Sequence, residues 1–154
     1  MIASNPRKTV RMRRLLALIT VASALVLLPN GPARAELDTF QTPSKGIACI
    51  YDDGEFEGKP FLSCEVSGYL GQLPPTPTDC DLDWEARGTL YSTGKASIGS
   101  CAGDTLMSPK ARILKYGTTW KRGPFTCTSA TNGVRCKNRS GFGFLISKRI
   151  LTRI

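Results

Sequence analysis

Six cysteines and no histidine set the chemistry open to this 154-residue chain. Histidine is the commonest general base and a frequent zinc ligand. Its absence removes Ser-His-Asp and Cys-His nucleophilic systems, together with histidine metal sites. The cysteines are Cys49, Cys64, Cys80, Cys101, Cys127 and Cys136, and no two of them form a C-x-x-C pair. Their even number, behind what reads as an export signal, points to three disulfides instead of a zinc site. The spacing favours sequential pairing, 49–64, 80–101 and 127–136. With every cysteine paired, no thiolate nucleophile remains.

Carboxylates are then the remaining catalytic option. Asp52, Asp53, Glu55 and Glu57 form one cluster, and Asp79, Asp81, Asp83 and Glu85 form another. A glycoside hydrolase needs two such groups facing each other across a sugar cleft, with Trp84 or Trp120 available to stack on the ring. Both clusters read more simply as solvated turns. Asp79-x-Asp81-x-Asp83 imitates the opening of an EF-hand calcium loop, but Trp84 and Leu90 stand where the loop needs glycine and glutamate. No metal site and no cofactor are expected. Cations make the other constellation: Lys121, Arg122, Arg135, Lys137 and Arg139, with Trp120 and Phe142 nearby, could form a basic-aromatic face for a polyanion. The plainer reading is long side chains blunting strand edges.

The elements that must position these groups begin after residue 35. Arg7, Lys8, Arg11, Arg13 and Arg14 precede an apolar run over residues 15–28, and Ala33-Arg34-Ala35 fits a small-x-small cleavage site. The run is shorter than the ~20 residues a membrane-spanning helix requires. Residues 1–35 therefore read as a cleaved signal peptide and residues 36–154 as a single secreted β domain, periplasmic or extracellular. No membrane span is expected after cleavage, and the domain is expected to be monomeric. The formal charge of +9 falls to +3 once the leader's six basic residues are set aside. What remains is lopsided: residues 36–104 carry 4 basic and 12 acidic groups, and residues 105–154 carry 11 basic and none acidic. The expectation is that the two halves sit together and neutralise each other. Nucleic acid is not an expected partner, because no recognition motif accompanies the positive charge.

Short β-like runs with glycine turns fill the chain. Residues 47–51 and 61–66 read as neighbouring strands tied by Cys49 and Cys64. Residues 88–93 and 95–100 form a hairpin signal around Thr93-Gly94, and residues 111–116, 142–147 and 150–152 read as further strands. Residues 125–128 and 134–137 flank a turn, where Asn132-Gly133 should supply the positive φ angles of a tight reversal. Residues 68–77 hold three prolines and read as irregular chain. The fold expected is all-β: a small disulfide-stapled antiparallel sandwich or barrel with little helix after the leader.

Phe40-Gln41-Thr42-Pro43-Ser44, followed by Ile47 and Cys49, resembles the F-x-[TS]-P-S-G-N-I-x-C opening of a family of small secreted bacterial proteins known only as a domain of unknown function. Cys101-Ala102-Gly103-Asp104-Thr105 is similar to its C-x-x-D-T element. Tyr116-Gly117, Gly123-Pro124-Phe125-Thr126-Cys127, Gly133-Val134-Arg135-Cys136 and the closing residues Gly141 to Ser147 follow in the family's order. Lys45-Gly46 stands where the family usually has Gly-Asn. The resemblance implies an exported domain with paired cysteines and carries no activity. In that bacterial setting the formal sequon Asn138-Arg139-Ser140 has no weight.

Together these readings give a non-enzymatic exported domain, a binding or interaction module of the envelope or exterior. Its expected partner is an anionic envelope polymer or another exported protein. The alternatives are a carboxylate-dependent glycan hydrolase and a disulfide-rich inhibitor or effector of another protein.

Overall fold

A computed structural model describes residues 37–55 and 57–154; the expected signal peptide, residues 1–35, lies outside the described residues. Among the described residues the chain forms strands and no helix, so none is long and apolar enough to cross a membrane. In chain order the strands are β1 (Asp38–Gln41), β2 (Ile47–Asp52), β3 (Phe61–Val66), β4 (Asp83–Tyr91), β5 (Ser97–Ala102), β6 (Arg112–Ile113), β7 (Thr119–Arg122), β8 (Phe125–Ala130), β9 (Gly133–Lys137), β10 (Gly143–Ile146) and β11 (Leu151–Arg153). They build two sheets, ordered β5-β4-β3-β2-β1-β6 and β11-β10-β9-β8-β7. The fold is a disulfide-stapled sandwich, as the sequence implies. One pairing departs from the antiparallel expectation: β6 runs parallel to β1.

Alternation explains most of these strands. Along β8 and β9, Phe125, Cys127, Val134 and Cys136 turn inward and are at most 1% exposed, while Thr128, Arg135 and Lys137 face solvent. Phe40, Leu62 and Leu90 from the first sheet meet Phe144 and Ile146 from the second, and all five are buried. The ring of Phe144 from the second sheet lies close against Gly88 of the first. A Cβ there would come within 2.8 Å of the ring, so this contact requires glycine.

The three disulfides pair as the spacing suggests: Cys49–Cys64, Cys80–Cys101 and Cys127–Cys136. The first and third join direct cross-strand partners on β2–β3 and β8–β9, with Cα atoms 4.0 and 4.1 Å apart. Their sulfurs point into the core, and Cys64 Sγ lies 3.9 Å from Cys136 Sγ across the two sheets. Cys80–Cys101 instead ties the chain before β4 to β5, with Cys101 exposed. Closing loops of 15, 21 and 9 residues stabilises by about 3 kcal/mol apiece through lost unfolded-state entropy.

Three local expectations need correction. The β8–β9 reversal is tighter than residues 129–133, because Ala130 pairs with Gly133 and leaves only Thr131 and Asn132 in the loop. Gly133 has φ 137°, but Asn132 does not share a positive φ; among the described residues Lys45 is the only non-glycine that has one. Residues 111–116 supply only the two-residue β6, because beyond it Leu114 turns inward and donates its N–H to Gln41. The acidic stretch before residue 88 divides: Asp79 and Asp81 stay in exposed, irregular chain, whereas Asp83 and Glu85 begin β4, where Arg87 pairs with Glu65 and Glu85.

Candidate functional site

The two sheets differ in charge as well as in position. All the acidic groups of the described residues lie at or before Asp104, in or around the first sheet. On that sheet's outer face Arg87 holds Glu65 at 3.1 Å and Glu85 at 2.6 Å. It also donates to the Asp104 carbonyl. Glu65 in turn accepts Thr105 Oγ1–H at 2.8 Å and Leu106 N–H at 2.7 Å, so the chain after β5 folds down over this cluster. Glu65 and Glu85 both line a cleft of about 500 Å³ with Trp84 and Tyr69. A guanidinium between them and two further donors on Glu65 commit the pair to holding structure. Elsewhere in the acidic half, Asp52 is 1% exposed and caps the next turn by accepting Gly54 N–H at 2.7 Å. Glu57 accepts the Tyr91 hydroxyl at 2.5 Å, and this bond is the main cause that raises the Tyr91 phenol above its ordinary pKa. Tyr51 is also raised, chiefly by burial and then by Asp53.

The cationic constellation divides into separate places. Lys121, Arg135 and Lys137 project from the outer face of the second sheet, in cross-strand rows Lys121–Thr126–Lys137 and Thr119–Thr128–Arg135. Lys121 and Lys137 stand two strand spacings apart, about 10 Å, and Arg135 lies about 7 Å along β9 from Lys137. Arg122, at the end of β7, turns toward the Tyr51 ring, 5.8 Å away. Arg139 is exposed in the connection after β9. Trp120 does not join them. It is 4% exposed, packs on Phe40 at 5.1 Å between ring centres, and donates its indole N–H to Asp38 at 3.0 Å. Its burial follows from strand parity: Trp120 pairs with the inward-facing Cys127, so its ring must enter the core.

The expected mutual neutralisation of the halves is correspondingly local. Arg112 meets Asp38 at 3.1 Å across β6 and β1. Among the described residues no ion pair is found for Lys121, Arg135 or Lys137. Asn138, the sequon residue, is 6% exposed and donates to the Tyr91 and Gly94 carbonyls, fixing the loop that carries Arg139. Residues 68–77 do not protrude freely. Leu70 N–H donates to the Lys148 carbonyl, and Trp84 donates its indole N–H to the Pro74 carbonyl.

A second feature lies at one end of the sandwich, where turns far apart in sequence converge. The β1–β2 turn, the end of β3, the β8–β9 turn and the β10–β11 turn line a cleft of about 670 Å³, joined by Tyr116. Its charged residues are Lys45, Lys148 and Arg149, and no carboxylate lines it. Thr42, Ser44, Ser67, Thr131, Asn132 and Ser147 supply polar groups, and Ile47 and Val66 an apolar floor. The walls are braced. Thr42 bonds Ile47 in both directions, Ser67 N–H reaches the Gly46 carbonyl, and Ser147 Oγ accepts from Arg149 and Ile150 N–H groups. Gly133 is required at this junction, because a Cβ on it would lie 2.4 Å from the Ile146 carbonyl oxygen.

Sequence reasoning did not find this cleft, since it treated these residues as makers of turns. A signal was nevertheless present. Thr42, Ser44, Tyr116, Gly133 and Ser147 all belong to the motif elements that carry the family resemblance, and they meet here.

No curated protein and no solved structure matches the chain. The profile of a family of unknown function (DUF6636) matches residues 19–152, nearly the whole sequence, and the chain belongs to that family.

Proposed function

We propose that this chain is an exported, non-catalytic binding module whose second sheet holds an anionic polymer of the cell envelope. The observation that carries the reading is the acid-free outer face of β7–β9, where Lys121, Arg135 and Lys137 stand exposed among threonines with no carboxylate beside them. Cations so placed attract a repeating anion over its whole length, whereas neutralised cations would not. Three disulfides support the export part of the reading, because such bonds persist in oxidising compartments. The commitment of Glu65 and Glu85 to Arg87 supports a binding role over hydrolysis.

Retention on immobilised polyphosphate during a rising salt gradient tests this. The wild-type chain should be held at low salt and released as screening grows. The combined Lys121→Gln, Arg135→Gln, Lys137→Gln variant should elute at markedly lower salt. Equal elution of the two proteins would overturn the assignment to this face.

A further inference from the structure

We infer that the cleft at the turn end is a separate binding site for a single acidic sugar unit, a pyranose bearing a carboxylate or phosphate. The first ground is charge: Lys45, Lys148 and Arg149 line it, no acidic residue does, and among the described residues none of the three forms an ion pair. The second is the shape and chemistry of the remaining wall. A volume of about 670 Å³ falls in the range of small-ligand sites. Tyr116, a residue 37% exposed, lines the cleft together with the apolar Ile47 and Val66 and several hydroxyl side chains. An inorganic anion would leave the ring and floor unused, and a neutral sugar would leave the cations unanswered. An acidic sugar satisfies both.

The third ground is backbone conformation. Lys45 has φ 56°, a left-handed geometry that glycine adopts freely and lysine adopts only at a cost. The turn would form more easily with glycine at this position. Lysine here places a cation at the rim of the cleft at a backbone cost, which points to use of its side chain. The strain is locked in by the surrounding bonds: Lys45 N–H donates to the Thr42 carbonyl at 2.8 Å, and Ser44 N–H donates to the Tyr116 hydroxyl at 3.3 Å. The same short turn therefore fixes both the cation and the ring.

The site uses none of Lys121, Arg135 or Lys137, so it stands or falls independently of the polymer-binding face. Titration of the isotope-labelled chain with glucuronate, followed by amide shifts, is the direct test, with glucose and inorganic phosphate as parallel arms. Glucuronate should move Ser44 to Ile47, Tyr116, Asn132 and Lys148 to Ile150. Glucose and phosphate should each bind at least tenfold more weakly. Arg149→Gln, which leaves the backbone unconstrained, should weaken glucuronate about tenfold, the loss of one charge-assisted contact. Lys45→Gly should weaken it similarly while raising the melting temperature, a combination that a merely structural lysine would not give. The Lys121, Arg135, Lys137 triple variant should bind glucuronate as the wild type does. No shifts at millimolar glucuronate, equal response to phosphate or glucose, or unaltered affinity in both cleft variants would each overturn the inference.

Discussion

The two sheets of this sandwich treat charge in opposite ways. On the first, Arg87 is 10% exposed at its side chain, sits between Glu65 and Glu85, and is sealed by the chain around Thr105. On the second, Lys121, Arg135 and Lys137 stand in solvent with only threonines between them. The same element type, a strand with alternating polar positions, gives architecture in one case and an unoccupied surface in the other. The difference is the covering loop. Where the chain returns over a sheet, its charges must pair, because a buried unpaired charge costs far more than an exposed one. Where nothing returns, charge is free to meet something outside the molecule.

Substitutions can break that contrast, and their expected effects on stability fall in a clear order. Arg87→Met should cost most, about 3–5 kcal/mol, because it strands two carboxylates beneath the loop; urea denaturation measures it, and a loss under 1 kcal/mol would mean the cluster is solvated after all. Replacing Cys127 and Cys136 together with serine should cost about 2–4 kcal/mol through the freed loop. A negligible shift in the urea midpoint would remove the staple from the account. Gly88→Ala should cost about 1–3 kcal/mol, as the Phe144 ring is pushed off the first sheet, and thermal melting would show it. At alkaline pH the Tyr91 phenol contributes in a defined direction. Its pKa is raised in the folded chain, so its stabilisation is complete below about pH 10 and is lost as pH climbs through the raised value. Comparing wild type with Tyr91→Phe by denaturation between neutral and strongly alkaline pH should show the wild type losing more. The triple glutamine variant of the second sheet should sit at the bottom of the series, within about 0.5 kcal/mol of wild type. A large loss there would show that the face is held by contacts and is not bare.

Much of this was legible in sequence for identifiable reasons. A cysteine in each of two short β-like runs fixes cross-strand partners, so Cys49–Cys64 and Cys127–Cys136 located β2, β3, β8 and β9. Glycine turns and alternation located β10 and β11. The strands that escaped are short and mostly polar. β1 carries one fully buried apolar side chain, Phe40, and β7 reads as Thr-Trp-Lys-Arg, where a tryptophan beside cations suggested a surface. Its neighbours along the chain could not reveal that Trp120 would find Asp38, 82 residues away, as the acceptor that lets an indole be buried. The cleft escaped for a related reason. Its residues come from three turns, the end of β3 and Tyr116, spread from Thr42 to Ile150, and only the stacking of two sheets brings them to one end. Local pattern specifies which residues make a turn; it does not specify which turns will be neighbours.

The contact between Cys64 and Cys136 has a consequence for how the molecule meets a reductant. Both of these bonds are wholly enclosed, with each of their four cysteines at most 1% exposed, whereas Cys101 of the third bond stands at the surface. A small thiol can reach Cys80–Cys101 while the sandwich is intact, and it reaches the paired sulfurs of the interior only when the sheets part. Mild reduction should therefore release two thiols quickly and then stop, freeing the irregular chain around Cys80 ahead of β4 while the sheets stay paired. The remaining four should appear at the rate of global unfolding, so that counting thiols over time reads out the lifetime of the folded state.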